Sequence, residues 1–225
     1  MNSIRENLER IWATLPPHVK LIAVSKTKPA EMLLEAYEAG QKYFGENYVQ
    51  DLMSKQPGLP SDMEFHFIGH LQTNKVKYIA PFISCIQSVD SLKVLKEINK
   101  QASKNHRIID CMLEFSIAEN DSKFGLDIDE ARELLTSDAC KAMQSVRIIG
   151  VMGMGSFSDD MARTRREYKK LKQIFDELKT EFFAGNEAFK EISMGMSSDY
   201  QLAIEEGSTM VRVGTDIFGA RNYQE

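Results

Sequence analysis

Eight short apolar runs alternate with amphipathic segments along this chain of 225 residues, and that alternation leaves few folds open. Strands joined through helices pair in parallel, because each crossover returns the chain to the same end of the sheet. Parallel strands are covered on both faces, so they read as continuous β-branched and aliphatic runs. Such runs fall at 20–25, 42–44, 64–68, 83–89, 107–117, 147–152, 191–194 and 210–213. Seven of them lead into helical periodicity: 29–39, a segment ending near Lys55, 73–79, a helix capped by Asp90 or Ser91, 128–136, 160–183 and 199–206. Eight such units in this length favour a closed barrel over its main competitor, an open doubly wound sheet.

One helix lies outside the alternation. Ser3 and Glu6 have capping-box spacing, and Ile4, Leu8, Ile11, Trp12 and Leu15 follow at helical intervals until Pro16-Pro17 stops them. No linker, repeat or low-complexity segment interrupts the chain. The expectation is an α/β fold: a single (β/α)8 TIM-type barrel with an extra N-terminal helix, residues 1–225 forming one domain.

The balance of charge narrows the partners. A net charge of −5 and a pI near 5.5 argue against nucleic acid or an anionic membrane. No apolar run approaches the roughly 20 residues of a membrane span, and the charged N-terminus lacks the apolar core of a signal peptide. Cys85, Cys111 and Cys140 are scattered without metal spacing, which fits reduced thiols and a cytoplasmic location.

In barrels of this kind ligands bind at the carboxyl ends of the strands. The first run ends at Lys26, and Pro29 then suits a helix start. A lysine partly stripped of water there has a lowered pKa, and its neutral amine can form a Schiff base. The same rule gathers Asn47, His70, Lys123, residues 152–155, residues 193–198 and residues 212–215 at one rim. Ser193-Met-Gly-Met-Ser-Ser-Asp199 and Val213-Gly-Thr215 follow the seventh and eighth strands, where small residues and hydroxyls suit an anion. Arg212 calls for a carboxylate, a phosphate or a ring nitrogen.

Other patterns carry less. Gly153-Met-Gly155 lacks the third glycine and the acidic residue of a dinucleotide fingerprint. His66 and His70 are separated by Phe-Ile-Gly, which suits neither a helix nor a zinc site. The twelve methionines are read as core filler. A Schiff-base lysine beside an anion cradle leaves two classes open: a pyridoxal 5′-phosphate (PLP) protein, or an aldolase acting on a sugar phosphate.

Several motifs, taken in order, add a resemblance. Ala23-Val-Ser-Lys-Thr-Lys-Pro29, Phe44-Gly-Glu-Asn-Tyr-Val-Gln50, His66-Phe-Ile-Gly-His-Leu-Gln-Thr-Asn-Lys75, Ser193-Met-Gly-Met-Ser197 and Gly207-Ser-Thr-Met-Val-Arg-Val-Gly-Thr215 closely resemble the PLP homeostasis protein family. That family is a single PLP-binding barrel similar to the N-terminal domain of alanine racemase. The resemblance implies PLP held as an internal aldimine on Lys26. Ser197, Gly214 and Thr215 fall at its phosphate, with Ser193 and Met194 adjacent, Arg212 opposite the pyridine nitrogen and Asn47 close by. A cation at that nitrogen makes PLP a poor electron sink. Alanine racemases take a second base, a tyrosine, from a further β-rich domain, and this chain ends soon after its eighth strand. The implied function is intracellular PLP (vitamin B6) homeostasis without turnover, by a monomer, with apo-PLP enzymes as recipients. The alternatives are a dimer and a racemase-like PLP enzyme.

Overall fold

The computed structural model describes residues 3–119, 124–156 and 158–219. Helix α1 (Ile4–Trp12) opens the chain. Then come β1 (Lys20–Val24), α2 (Ala30–Glu38), β2 (Tyr43–Glu46), α3 (Val49–Lys55), β3 (Glu64–Phe67), α4 (Thr73–Ile79), β4 (Cys85–Val89) and α5 (Leu92–Lys104). The second half runs β5 (Ile109–Phe115), α6 (Ile128–Thr136), α7 (Asp138–Lys141), β6 (Val146–Gly153), α8 (Met161–Glu181), β7 (Glu191–Ser193), α9 (Tyr200–Glu205), β8 (Met210–Val213) and α10 (Thr215–Phe218). Every strand pairs in parallel with the next, and β8 returns to β1, closing an eight-stranded barrel. The expected (β/α)8 barrel with an added first helix is the observed fold.

Local chemistry explains where the elements begin. The Ser3 side chain accepts from the Glu6 amide while Glu6 accepts from the Ser3 amide, a complete capping box. Ser91, not Asp90, caps α5. Pro29 stands one residue before α2 as its N-cap, because its fixed φ of −69° suits the entry but its ψ of 157° is extended. The short α7 was not expected; Ser137 ends α6 and caps α7 at once, so a few polar residues sufficed.

Two cores result. The larger lies between sheet and helices, where Leu33, Leu52, Ile79, Leu95, Leu171 and Leu178 are fully buried. Each such side chain contributes about 1.5–3 kcal/mol. The smaller fills the barrel itself: Ile22, Cys85, Met112, Ile149, Met152 and Met210, with Tyr43 against them. Three methionines in that plug match their reading as filler, their unbranched chains adapting to the narrow tube. Helix α1 buries Ile4, Leu8 and Ile11 and packs on α2 and α10. It completes the outer ring beside α10, which has only four residues.

Above the plug, the inward positions turn polar. Inward side chains recur every second residue along a strand. Met112 is therefore followed by Glu114, Cys85 by Gln87 and Met210 by Arg212. A barrel with an apolar floor and polar upper layer is open to a ligand at its carboxyl end.

Candidate functional site

A cavity of about 460 Å³ occupies that end of the barrel. Lys26 enters it from the turn after β1, Asn47 from the end of β2, Ser197 and Ser198 from the loop after β7, and Arg212 from β8 itself. Gly214, Thr215, Met154, Met196 and Ile68 complete much of the wall. The size suits one small organic molecule.

Arg212 is 4% exposed and has no carboxylate at salt-bridge distance among the described residues. Its Nη1 donates to Ser193 Oγ at 2.6 Å and its Nη2 to the Gly153 carbonyl at 3.0 Å. Burial pulls its pKa down, while Tyr168, Glu114 and Asp199 oppose the shift. A guanidinium has five N–H groups, so the cation retains donors for the cavity it lines. Ser193 in turn donates to Gln87 Oε1 at 2.6 Å, and Gln87 Nε2 lies 2.8 Å from His66 Nδ1. The amide nitrogen can only donate, so His66 Nδ1 is the acceptor and carries no proton. This chain of bonds across the barrel fixes the arginine from below.

His66 is held neutral by burial first and by the charge of Lys20 second, its pKa lowered from 6.5 to about 3. Between those values the unfolded chain binds a proton that the native ring refuses. The stability contributed by this group is complete above pH 6.5 and lost as pH falls toward 3, on the order of 5 kcal/mol across the window. NMR titration of the imidazoles should show the His66 ring unprotonated from pH 8 to pH 5. A midpoint near 6.5 for that ring would contradict the bonding assigned to Gln87.

The loops after β7 and β8 lie side by side on the cavity wall. Gly214 N donates to Ser197 Oγ at 3.4 Å. Among the described residues the amides of Ser197, Ser198, Thr215 and Asp216 have no protein acceptor. Four amides without protein acceptors and the hydroxyls of Ser197 and Thr215 therefore belong to residues of the cavity wall, a donor set suited to an anion. Asp199 shapes the first loop, its Oδ1 accepting from the Met196 amide at 2.7 Å and from the Tyr168 hydroxyl at 2.9 Å. Burial, then the carboxylate of Asp199, raises the Tyr168 pKa, so the phenol stays a donor.

At the end of β2, Asn47 Oδ1 is buried without a partner. An orphaned acceptor costs about 1–3 kcal/mol unless something donates to it. Asn47 is backed by Gly69, where an added Cβ would lie 2.4 Å from the Asn47 carbonyl oxygen. Glycine at that point lets the loops after β2 and β3 touch. Glu114, 4% exposed, stands inward on β5. Burial, with the charge of Asp90 adding to it and Arg212 opposing, raises its pKa to about 7.

Six of the eight residues singled out from sequence line one cavity: Lys26, Asn47, Ser197, Arg212, Gly214 and Thr215. Ser193 and Met194 are fully buried and do not line it. Ser193 lies behind Arg212, and the Met194 carbonyl accepts from Ser208 Oγ at 2.8 Å. His70 faces a separate cavity, 3.3 Å from Asp90 and stacked on Phe124 at 4.2 Å between ring centres. Lys123 lies outside the described residues. Gln87 and Tyr168 had no functional signal in the sequence, because each acts through a partner far along the chain, whereas Asp199 fell within the stretch read as an anion cradle. No group of three or more His, Cys, Asp or Glu among the described residues could hold a metal ion. None of the described helices is long and apolar enough to cross a membrane.

The chain is similar to known proteins along nearly its full length. The family described as alanine racemase, N-terminal domain, matches residues 1–222. A pyridoxal phosphate homeostasis protein of Aquifex aeolicus is 38% identical, over 91% of this chain and 88% of that protein. Another, of Bos taurus, is 36% identical over 100% of this chain and 87% of its own. Among solved structures, PipY of Synechococcus elongatus with PLP bound is 36% identical, with a TM-score of 0.87 over 96% of this chain and 100% of that one. An alanine racemase of Clostridium difficile, 15% identical, has a TM-score of 0.78 over 99% of this chain and 61% of that one, a likeness of fold alone.

Proposed function

This chain belongs to the family of pyridoxal phosphate homeostasis proteins, built on the alanine racemase N-terminal domain, and on that premise we propose that its barrel mouth binds PLP to hold and release it within the cell. The observation that carries the reading is one cavity shared by an amine, a buried guanidinium and a cluster of acceptor-less amides. When bound, PLP supplies an aldehyde that a neutral amine can take up and an electron-withdrawing ring. Lys26 is the residue for the covalent tether. The Ser197 and Thr215 hydroxyls, with the amides of residues 197, 198, 215 and 216, hold the phosphate. Arg212 would face the ring nitrogen and oppose its protonation, and the orphaned Asn47 Oδ1 would take a donor from the ligand.

The same arginine weighs towards holding rather than turnover. A ring nitrogen denied its proton withdraws electrons weakly, so carbanion chemistry has little support. Ser193 then serves the site by positioning Arg212, and Met194 by packing behind the loop. The compartment is cytoplasmic on this reading, which the free cysteines Cys85, Cys111 and Cys140 support. The protein acts as a monomer, and its recipients are apo-PLP enzymes.

The test is transfer. Protein loaded with PLP should reactivate an apo-PLP enzyme while keeping free PLP low, compared with free PLP at equal total concentration. Sustained isomer exchange of an amino acid by the loaded protein, lost with Lys26→Ala, would favour turnover instead. Thr215→Val removes a donor to a charged oxygen and should weaken PLP by about tenfold, measured by equilibrium titration. Unchanged affinity would leave Thr215 a structural role only.

A further inference from the structure

Lys26 is flanked on both sides by an ionic cluster from another part of the chain, buried at Glu46 and Lys55 and partly open to solvent at Asp51. Ser25, before it, donates from Oγ to Glu46 Oε1 at 2.7 Å. The Ser25 carbonyl accepts from Lys55 Nζ at 3.1 Å. Thr27, after it, donates its amide to Asp51 Oδ2 at 2.8 Å. Lys55 Nζ joins the two anchors, reaching Glu46 Oε1 at 2.6 Å and Asp51 Oδ2 at 3.0 Å. An ammonium has three protons, and these three acceptors use them all.

The placement is built rather than incidental. Lys55 is 6% exposed and Glu46 fully buried, so both charges have left water. Replacing such a pair by apolar side chains is often neutral or stabilising, so stability alone gives a weak reason for it. The chain meanwhile turns through Thr27 at φ +64°, a left-handed conformation that a β-branched residue adopts only under constraint. The constraint on it is Asp51. Glu46 lies at the end of β2, and Asp51 and Lys55 are four apart on α3. The unit that supplies Asn47 to the cavity therefore also holds the turn that supplies Lys26.

We propose that Glu46, Asp51 and Lys55 are positioning residues that clamp the backbone on either side of Lys26 and thereby set how readily its amine would take up the PLP aldehyde with loss of one water and give it up again to water or to a competing amine. The proposal rests on the reading of Lys26 as the tether. None of the three touches the cavity, so each acts through Ser25 or Thr27.

The experiment uses the full chain loaded with PLP. Asp51→Ala frees the Thr27 amide and leaves Glu46 and Lys55 paired. It is expected to speed PLP dissociation at least about fivefold, followed as loss of bound-PLP absorbance into excess competing amine. It should also move the pH midpoint of that absorbance, because the amine samples new positions. Asp51→Asn keeps an oxygen for Thr27 and should restore both readouts toward wild type. Ser25→Ala cuts only the Glu46 arm, serves if Asp51→Ala does not fold, and is expected to speed dissociation in the same direction. A folded variant whose dissociation rate and pH midpoint both match wild type overturns the clamp. So does an effect that follows the loss of melting temperature alone, equal in Asp51→Asn and Asp51→Ala. Borohydride reduction of wild type with peptide mapping separates the two claims: PLP fixed on another lysine overturns the tether, whereas PLP on Lys26 with indifferent variants overturns only the clamp.

Discussion

Lys26→Ala is expected to abolish the covalent capture of PLP. Borohydride treatment of the wild-type protein should fix PLP on one peptide, the one containing Lys26, and the variant should yield none. The remaining anchors keep the ligand, since the hydroxyls of Ser197 and Thr215 and the guanidinium of Arg212 are untouched. Affinity should fall by roughly a hundredfold rather than vanish, about 2.8 kcal/mol. Far-ultraviolet circular dichroism should match wild type, because the half-buried side chain leaves the turn through its backbone bonds intact. Persistence of the same bound-PLP absorbance band in the variant would move the tether to another amine. Lys28 is the nearest rival in sequence, but its Nζ donates to the carbonyls of Phe218 and Gly219, both at 3.1 Å, and is occupied at the end of α10.

A second large effect concerns the barrel wall. In Gly150→Ala the new Cβ would lie 1.8 Å from the Glu191 carbonyl oxygen and 2.6 Å from its carbon, both backbone atoms of β7. No rotamer relieves such a contact, so β6 and β7 must separate. Gly150 follows a register shift in which Cys111 pairs with Ile148 but Met112 pairs with Gly150, and the displaced backbone there crowds its neighbour. The cost should exceed about 3 kcal/mol, beyond the usual range of overpacking. At this chain length that corresponds to a fall of roughly 10 °C in melting temperature. Gly58→Ala, where an added Cβ meets nothing within 4 Å, is the control and should shift melting little. Equal melting of the two variants would show that the strands part at little cost.

These two glycines mark how far the sequence could be read. The fold was legible, because eight apolar runs separated by amphipathic helices admit few closed arrangements. Lys26 was legible from its place at a strand end, and the loops after β7 and β8 from their glycines and hydroxyls. The run 147–152 already set Gly150 in a strand and Gly58 outside one, but only the approach of the Glu191 backbone shows that Gly150 has no room for a side chain. Ser193 was readable as a site residue by proximity. Its full burial behind Arg212, with a bond to each of Arg212 and Gln87, gives it a supporting part instead. Gln87 and His66 drew no functional reading, since a buried glutamine and a neutral histidine differ from ordinary core residues only through their partners.

The sequence by itself determined what is periodic or local: a parallel barrel of eight units, the helix capped by Ser3 and Glu6, and the lysine at the end of the first run. Those properties depend on residues within a few positions of one another, where spacing is geometry. The tertiary structure decided everything that depends on distant partners. It joined Arg212 to Ser193, Gln87 and His66, left the Asn47 oxygen facing a cavity without a donor, and set Glu46, Asp51 and Lys55 around the turn that carries Lys26. Such contacts arise when residues 19 to 106 positions apart are brought to hydrogen-bond distance, and no pattern along the chain records which polar side chains will meet there.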